Sequence, residues 1–476
     1  MTGVIKSNRC GTCRKRKVKC DEVKPVCGPC QKGQRCCEAP ISKVKFVKPK
    51  GLSPRTVTQC MPRESTTREI SPVLSPQPMQ TPAEGLTAVL VETFNGSSIG
   101  LRLSTMANFI QEIPRRLGHS AVLDATIACL VHRRLFLLND GYDAINKQQQ
   151  LYLKAVNSLS LVINDPMEGY SDNTLCAVAL LGEIELLGGG LTHLQGGSGY
   201  IMHAGGAARL IQYRGADRHR EGFGKLLLAY RRGAIVADAI VRGDDCFLQH
   251  QPWTDLSFDD LPSTTFGHVS EDMVAVLLAL PTLLKELRQF RTLEAAIDCQ
   301  TVLSRAQTLR RTLQQIGSLI DEAVNTAKDI FEVSGTLGDT QVPVVYEYKE
   351  KSLAYACALY WGLSIVLETI INRLLPTNYP QAVGEAIVHR CDRARQQICM
   401  SFEYSLRFWP LGSMYMAGPL IMSFYGATDE QKEWITTALG KLSSHIPGSE
   451  VFWSRQALEV LSRLYVGEWS DVMSSK

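Results

Sequence analysis

Six cysteines near the N-terminus fall on one spacing used twice. Cys10, Cys13 and Cys20 read C-x2-C-x6-C, and Cys27, Cys30 and Cys37 read C-x2-C-x6-C again. A lone CxxC is a weak signal, whereas an identical triplet repeated along forty residues marks a metal-binding array. Zinc takes four ligands in a tetrahedron, so one ion would leave two of six thiolates idle and two separate ions would need eight. Six suffice for two ions when two sulfurs are shared. Such a cluster carries a surplus of negative charge, and Arg14, Lys15, Arg16, Lys17 and Lys19 lie beside it. Cys36 competes with Cys37 for the sixth place, and only Cys37 keeps the six-residue gap. The expected zinc ligands of a two-ion site are therefore Cys10, Cys13, Cys20, Cys27, Cys30 and Cys37.

The competing use of six thiols is a disulfide knot or a redox pair. Ahead of Cys10 only Met1, Val4 and Ile5 are apolar, which does not read as a secretory leader, so reduced thiols in cytosol or nucleus are expected. Charge divides the chain in the same place. Residues 1–50 hold 14 Lys and Arg against 3 Asp and Glu, while the remaining residues are mildly acidic. A basic head calls for a polyanion, nucleic acid ahead of an anionic membrane surface.

The segment CGTCRKRKVKCDEVKPVCGPCQKGQRC, continuing to Cys37, resembles the fungal zinc binuclear cluster DNA-binding domain (Zn2Cys6) over about residues 8–40. The resemblance implies that Cys10 and Cys27 bridge the two ions and that Pro25 shapes the loop joining the halves. It also implies a short helix after each CxxC, the first over about Arg14 to Lys19, which enters the DNA major groove. The family position that reads guanine corresponds to Lys17, with Arg16 beside it. Five of those six residues are cationic and only Val18 is apolar, so this is not a core helix. Arg14, Lys15, Lys19 and Lys24 are assigned to phosphates, simple solvation being the other reading for Lys15 and Lys24. Lys43, Lys45, Lys48 and Lys50 extend the basic stretch, as backbone contacts, a nuclear import signal or a solvated linker.

From Pro40 to Pro82 there are eight prolines among Ser, Thr and Arg. That density excludes a helix or a heptad zipper of the kind that follows the cluster in many relatives. Residues 41–85 are thus expected to form a basic, then proline-rich and disordered linker, with Ser53, Ser71, Ser75 and Thr81 as Ser-Pro or Thr-Pro candidates for phosphorylation.

Beyond residue 86 the apolar residues recur at helical period, as in Leu175, Val178, Ala179, Gly182 and Leu186, or Leu353, Ala356, Leu359, Tyr360 and Leu363. About a dozen helices and few strands are expected. The longest uncharged apolar stretch, Leu353 to Leu367, is fifteen residues, short for a bilayer, and reads as a buried helix. HLQGGSGYIMHAGGAARLIQYRG, AYRRGAIVADAIVRGDDCFLQHQPW and FWPLGSMYMAGPLIMSF resemble the helical regulatory domain of fungal transcription factors, which implies control of activity rather than catalysis. Gly196, Gly197, Gly199, Gly205 and Gly206 do not spell a nucleotide-binding fingerprint and read as helix-to-helix turns. His193 and His203 are poorly spaced for a metal on one helix. Two acidic-aromatic segments, Trp253 to Pro262 and Gly467 to Val472, have the composition of activation segments, Trp253 reading first as a packing residue.

The sequence thus predicts a mainly α protein: a two-zinc six-cysteine module at 8–40, a linker at 41–85, and a large all-helical regulatory domain at 86–476. The expected function is a nuclear, sequence-specific transcription factor reading CGG-type triplets in double-stranded DNA. Expected partners are DNA, the transcription machinery and a second copy through the helical domain, with no membrane and no enzymatic activity. The alternative is an enzyme or small-molecule-binding protein with a zinc-stabilised adapter.

Overall fold

The computed structural model describes residues 10–23, 26–33, 35–37, 81–96, 98–137, 142–188, 198–258, 267–292, 297–326, 329–376, 378–446 and 449–468. The linker reading, the basic run at 43–50, Lys24, Pro25, His193 and the candidates Ser53, Ser71 and Ser75 lie outside these residues. The chain divides into two compact units, 1–76 and 77–476.

Among its described residues the first unit holds two one-turn helices, α1 (Gly11–Lys15) and α2 (Gly28–Lys32). Its interior is sulfur: Cys10, Cys13, Cys20, Cys27 and Cys30 are buried together, with Val18 and Cys37 packed against them.

The second unit begins at α3 (Pro82–Glu92). The last of the eight linker prolines is the first residue of this helix, where a fixed φ and a missing N–H cost nothing. Thr81 caps it: its hydroxyl accepts from the Glu84 amide at 3.2 Å, and its own amide donates to the Glu84 carboxylate at 2.7 Å. The Thr81 hydroxyl, a phosphorylation candidate by sequence, is thereby engaged in a capping box.

The helices that follow are α4 (Ala121–Phe136), α5 (Tyr142–Val162), α6 (Asp172–Leu186), α7 (Ser198–Arg214), α8 (Gly222–Arg242), α9 (Gly267–Thr292) and α10 (Cys299–Asn325). After a hairpin of β1 (Ile330–Ser334) and β2 (Val344–Tyr348) come α11 (Lys351–Leu374), α12 (Gln381–Ser405), α13 (Ala417–Phe424), α14 (Asp429–Leu442), α15 (Ser449–Phe452) and α16 (Arg455–Tyr465). The fold is mainly α, as the helical periodicity implied. Neighbours in sequence pack on one another, α4 on α5, α6 on α7 and α8, α9 on α10, and α11 on α10 and α12, around one hydrophobic core.

α11 is the spine, touching α9, α10, α12, α13 and β2. It is long and apolar enough to cross a bilayer by length and composition, yet 78% of its most apolar window is buried within the unit. The hairpin is an addition to the all-helical expectation. It is antiparallel, with Ile330 opposite Tyr348 and Ser334 opposite Val344. Its inward tyrosines seat it: Tyr346 stacks on Trp361 at 5.8 Å and the Tyr348 hydroxyl meets Ser401 at 2.6 Å.

Of the five glycines read as turns, Gly196 and Gly197 lie outside the described residues, while Gly199, Gly205 and Gly206 lie inside α7 rather than in turns. A Cβ on Gly205 would stand 2.8 Å from Asp238 Oδ1 on α8, and one on Gly199 would stand 2.6 Å from the Glu185 carboxyl carbon on α6. These glycines serve close helix approach. Trp253 is half-buried against Phe247 and His219, at 5.0 and 5.8 Å between rings, which is a packing role.

Candidate metal centre and nucleic-acid interface

Each half of the repeat uses its CxxC as the first turn of a helix. Cys27 is the N-cap of α2, and its carbonyl accepts from Cys30 and Gln31 at 3.0 and 2.9 Å. Residues three apart on such a turn share a face, so both sulfurs of each pair point the same way. The helices therefore start inside the CxxC, and α1 covers Gly11–Lys15, not Arg14 to Lys19 as the resemblance implied. It stops because Lys17 takes a left-handed φ of 56°. The Val18 amide then folds back onto the Cys13 carbonyl at 3.1 Å, a Schellman-type ending. That turn brings Cys20 back to the sulfur cluster, leaving Lys17 at the helix terminus and Lys19 beyond it.

Six sulfurs form two groups of four, Cys10, Cys13, Cys20 and Cys27, and Cys10, Cys27, Cys30 and Cys37, each with its sulfurs within 4.8 Å of one another. Cys10 and Cys27 belong to both. Sulfur–sulfur edges are 3.6 Å for Cys10–Cys27, 3.6 Å for Cys13–Cys27, 3.8 Å for Cys10–Cys30 and 3.7 Å for Cys27–Cys37, and Cys13 and Cys30, in different groups, stand 3.9 Å apart. A tetrahedron of thiolates at the zinc–sulfur distance of about 2.3 Å has edges of about 3.8 Å. The donor set and its spacing fit metal ions, consistent with zinc. All fourteen described cysteines are free thiols.

The cluster thiols are shifted in opposite directions, with burial raising Cys13, Cys27 and Cys30 and a backbone hydrogen bond lowering Cys10. The Cys13 amide donates to Cys10 Sγ at 3.3 Å and holds that thiol down at about 6, while burial pushes Cys13 up to about 12. A divalent ion supplies the charge that deprotonates such buried thiols. Cys36 is exposed and stands in neither group; its carbonyl accepts the Thr12 hydroxyl at 2.6 Å.

Two residues not singled out by the sequence reading join the halves. Thr12 makes the tie just described. Asp21, which follows Cys20, accepts from the Gly28 amide at 2.9 Å and the Val23 amide at 3.4 Å. A Cβ at Gly28 would stand 2.5 Å from that carboxylate. The signal was present in the sequence, since each triplet is followed by an acid, Asp21 and Glu38.

Lys15, Arg16, Lys17 and Lys19 are exposed along α1 and its terminal turn. Among the described residues Arg16, Lys17 and Lys19 form no ion pair. Arg14 lies on α1, and Lys24 is outside the described residues. In the second unit His203 sits on α7, its Nε2 3.4 Å from the Tyr152 hydroxyl.

No family model and no solved structure matches the chain. It is 22% identical over 360 residues to an uncharacterized protein of Emericella nidulans, covering 71% of this chain and 75% of that one. Over 85 residues it is 38% identical to Sterol uptake control protein 2 of Candida albicans. Over 28 residues it is 68% identical to the C6 finger domain transcription factor hasF of Aspergillus fumigatus. These two matches cover 15% and 6% of this chain, and 12% and 4% of the named proteins. Together with the cysteine cluster they support a transcription-factor role, and the names point away from an enzyme.

Proposed function

We propose that the chain is a nuclear, sequence-specific DNA-binding transcription factor of the fungal zinc binuclear cluster type. The observation that carries the reading is the pair of four-sulfur groups sharing Cys10 and Cys27, set beside exposed cations. Bound zinc would cross-link the segments that carry these sulfurs, where among the described residues only Val18 adds hydrocarbon. Cys10, Cys13, Cys20, Cys27, Cys30 and Cys37 hold two zinc ions.

The chain's own residues then do the recognition. Lys17 and Arg16 stand at the end of α1 to donate to guanine O6 and N7, the commonest specific base contact. Arg14, Lys15, Lys19 and Lys24 meet phosphates and fix the register without reading sequence. The left-handed backbone at Lys17 supports this division, because strain kept at a lysine is explained by a side chain that function needs there.

The helical unit regulates the head and pairs two chains, and the acidic-aromatic segments at 253–262 and 467–472 meet the transcription machinery. Pairing through the helical unit would bring two heads to one duplex. Such a dimer accommodates two CGG-type triplets at variable spacing.

The test is anisotropy of full-length protein on a CGG-bearing duplex and a scrambled duplex at fixed salt. The specific duplex binds more tightly and chelation abolishes binding to it. Lys17→Ala costs about 1–3 kcal/mol on the specific duplex alone, whereas Lys15→Ala weakens both. Equal affinity for the two duplexes refutes the reading.

A further inference from the structure

Where α10, α11 and α12 converge, charged side chains stand beside apolar ones such as Leu313, Trp361 and Ala394. α10 presents Arg310 and Asp321, α11 presents Tyr360 and Glu368, and α12 presents Arg390 and Arg393, around a cavity of about 160 Å³. Amphipathic helices normally meet through hydrocarbon. This volume is about ten times the roughly 10–15 Å³ that one water needs.

Glu368 is buried, its side chain only 6% exposed, and both its oxygens are taken by the Arg390 fork at 3.1 and 2.9 Å. Arg310 reaches the same carboxylate only at 3.6 Å, beyond hydrogen-bond length, and its Nε is buried without a partner. Arg393 is exposed at the mouth of the cavity and makes no hydrogen bond or ion pair among the described residues, so the buried unpartnered donor is Arg310 Nε alone. The cavity is thus lined by three guanidiniums against two carboxylates, one of which Arg390 already satisfies. Asp321, at the rim, is exposed and likewise forms no ion pair.

The wall is fixed in place. The Tyr360 hydroxyl lies 2.0 Å from where a Cβ on Gly317 would stand, so glycine at that point of α10 lets the ring in and sets the width between α10 and α11.

We propose that this cavity is a binding site for a small oxyanion, a carboxylate or phosphate group, anchored by Arg310 and Arg393 against the Arg390–Glu368 pair. An unpaired buried guanidinium donor is costly. A planar or tetrahedral oxyanion supplies the acceptors in the geometry a guanidinium fork matches. A cation is excluded by the guanidinium surplus. The site stands independently of what the head recognises.

The experiment is calorimetric titration of full-length protein with inorganic phosphate and, separately, malonate, at ionic strength held constant with chloride. One of the two binds saturably, one per chain, and which one binds separates phosphate from carboxylate ligands. Arg310→Gln and Arg393→Gln each weaken that binding about tenfold or more. Asp321→Asn, which removes an exposed repelling charge, tightens it severalfold, a gain that a damaged fold does not mimic. Arg407→Gln, remote from the cavity, leaves it unchanged. Absence of saturable binding by either anion overturns the proposal. So does undiminished affinity in both arginine variants, which would place the anion on the basic head.

Discussion

Cys10 and Cys27 stand in both four-sulfur groups, so the six cysteines are unequal as proposed ligands. Cys10→Ala or Cys27→Ala removes a corner from both four-sulfur groups, whereas Cys20→Ala removes one from the first group and leaves Cys10, Cys27, Cys30 and Cys37 intact. Cys37→Ala leaves the first group intact in the same way. A structural zinc ion contributes on the order of 10–16 kcal/mol to the folding of a small metal module. Among the described residues only Val18 packs hydrocarbon against the sulfurs, so little there offsets such a loss. Metal content measured by native mass spectrometry on the full chain should be two for wild type and for Cys36→Ala. It should be one for Cys13, Cys20, Cys30 or Cys37→Ala, with no complete four-thiolate site for Cys10 or Cys27→Ala. Cobalt substitution gives a second readout, because the thiolate-to-cobalt bands report an intact tetrahedral set. A full cobalt spectrum for one ion in Cys10→Ala, or loss of metal in Cys36→Ala, would show that the groups are not joined through the residues the geometry indicates.

Three further outcomes follow from close contacts. Lys17→Gly relieves a left-handed residue, worth about 1 kcal/mol, so chelator competition should show a more tightly held head while affinity for the specific duplex falls; a gain or loss in both together refutes the trade-off. Gly205→Ala drives a methyl against Asp238 and should cost about 1–3 kcal/mol in urea unfolding, whereas Gly206→Ala, whose Cβ would meet only Val178 at 3.9 Å, should gain up to about 1 kcal/mol from helix propensity. Equal effects would mean that the two glycines do not differ in helix approach. The Lys351 ammonium, whose Nζ donates to the Thr105 carbonyl at 2.6 Å, is lowered by burial to about 8 from 10.5. The unfolded chain holds this proton more tightly, so the cost is fully present below pH 8 and is relieved as pH rises toward 10.5, an effect of up to about 3 kcal/mol. Lys351→Met should therefore be more stable than wild type at pH 7, with the gap closing near pH 10; a gap that does not narrow refutes the assignment.

The six-cysteine cluster was legible because its members fall on one spacing used twice within a short stretch of chain. Spacing chose Cys37 over Cys36, and the structure brings Cys37 into the second group. Helix placement was less legible. A CxxC read as a pair of ligands does not announce that it is also a helical turn, and nothing in the residue type of Lys17 foretells a left-handed φ. That conformation is imposed from outside the local sequence, by the need to return Cys20 to sulfurs that Cys27 and Cys10 have already positioned.

The helical unit shows the same limit on a larger scale. α6 and α11 were readable because one apolar row each is enough to declare a buried face. Gly205 and Gly206 were misread because a glycine cluster is a turn signal whenever its neighbours are unknown. Only the approach of Asp238 from α8, thirty-three residues on, turns Gly205 into a packing position. The arginine-lined cavity lies further still from local reading. Arg310, Glu368 and Arg390 sit on three helices, and each alone reads as a solvated charge at the edge of an amphipathic face. What distinguishes them is that Glu368 is buried and its two oxygens are spent on Arg390, which leaves Arg310 short of an acceptor. A shortage of that kind is a property of the assembled contact, so it appears only once the three helices are brought together.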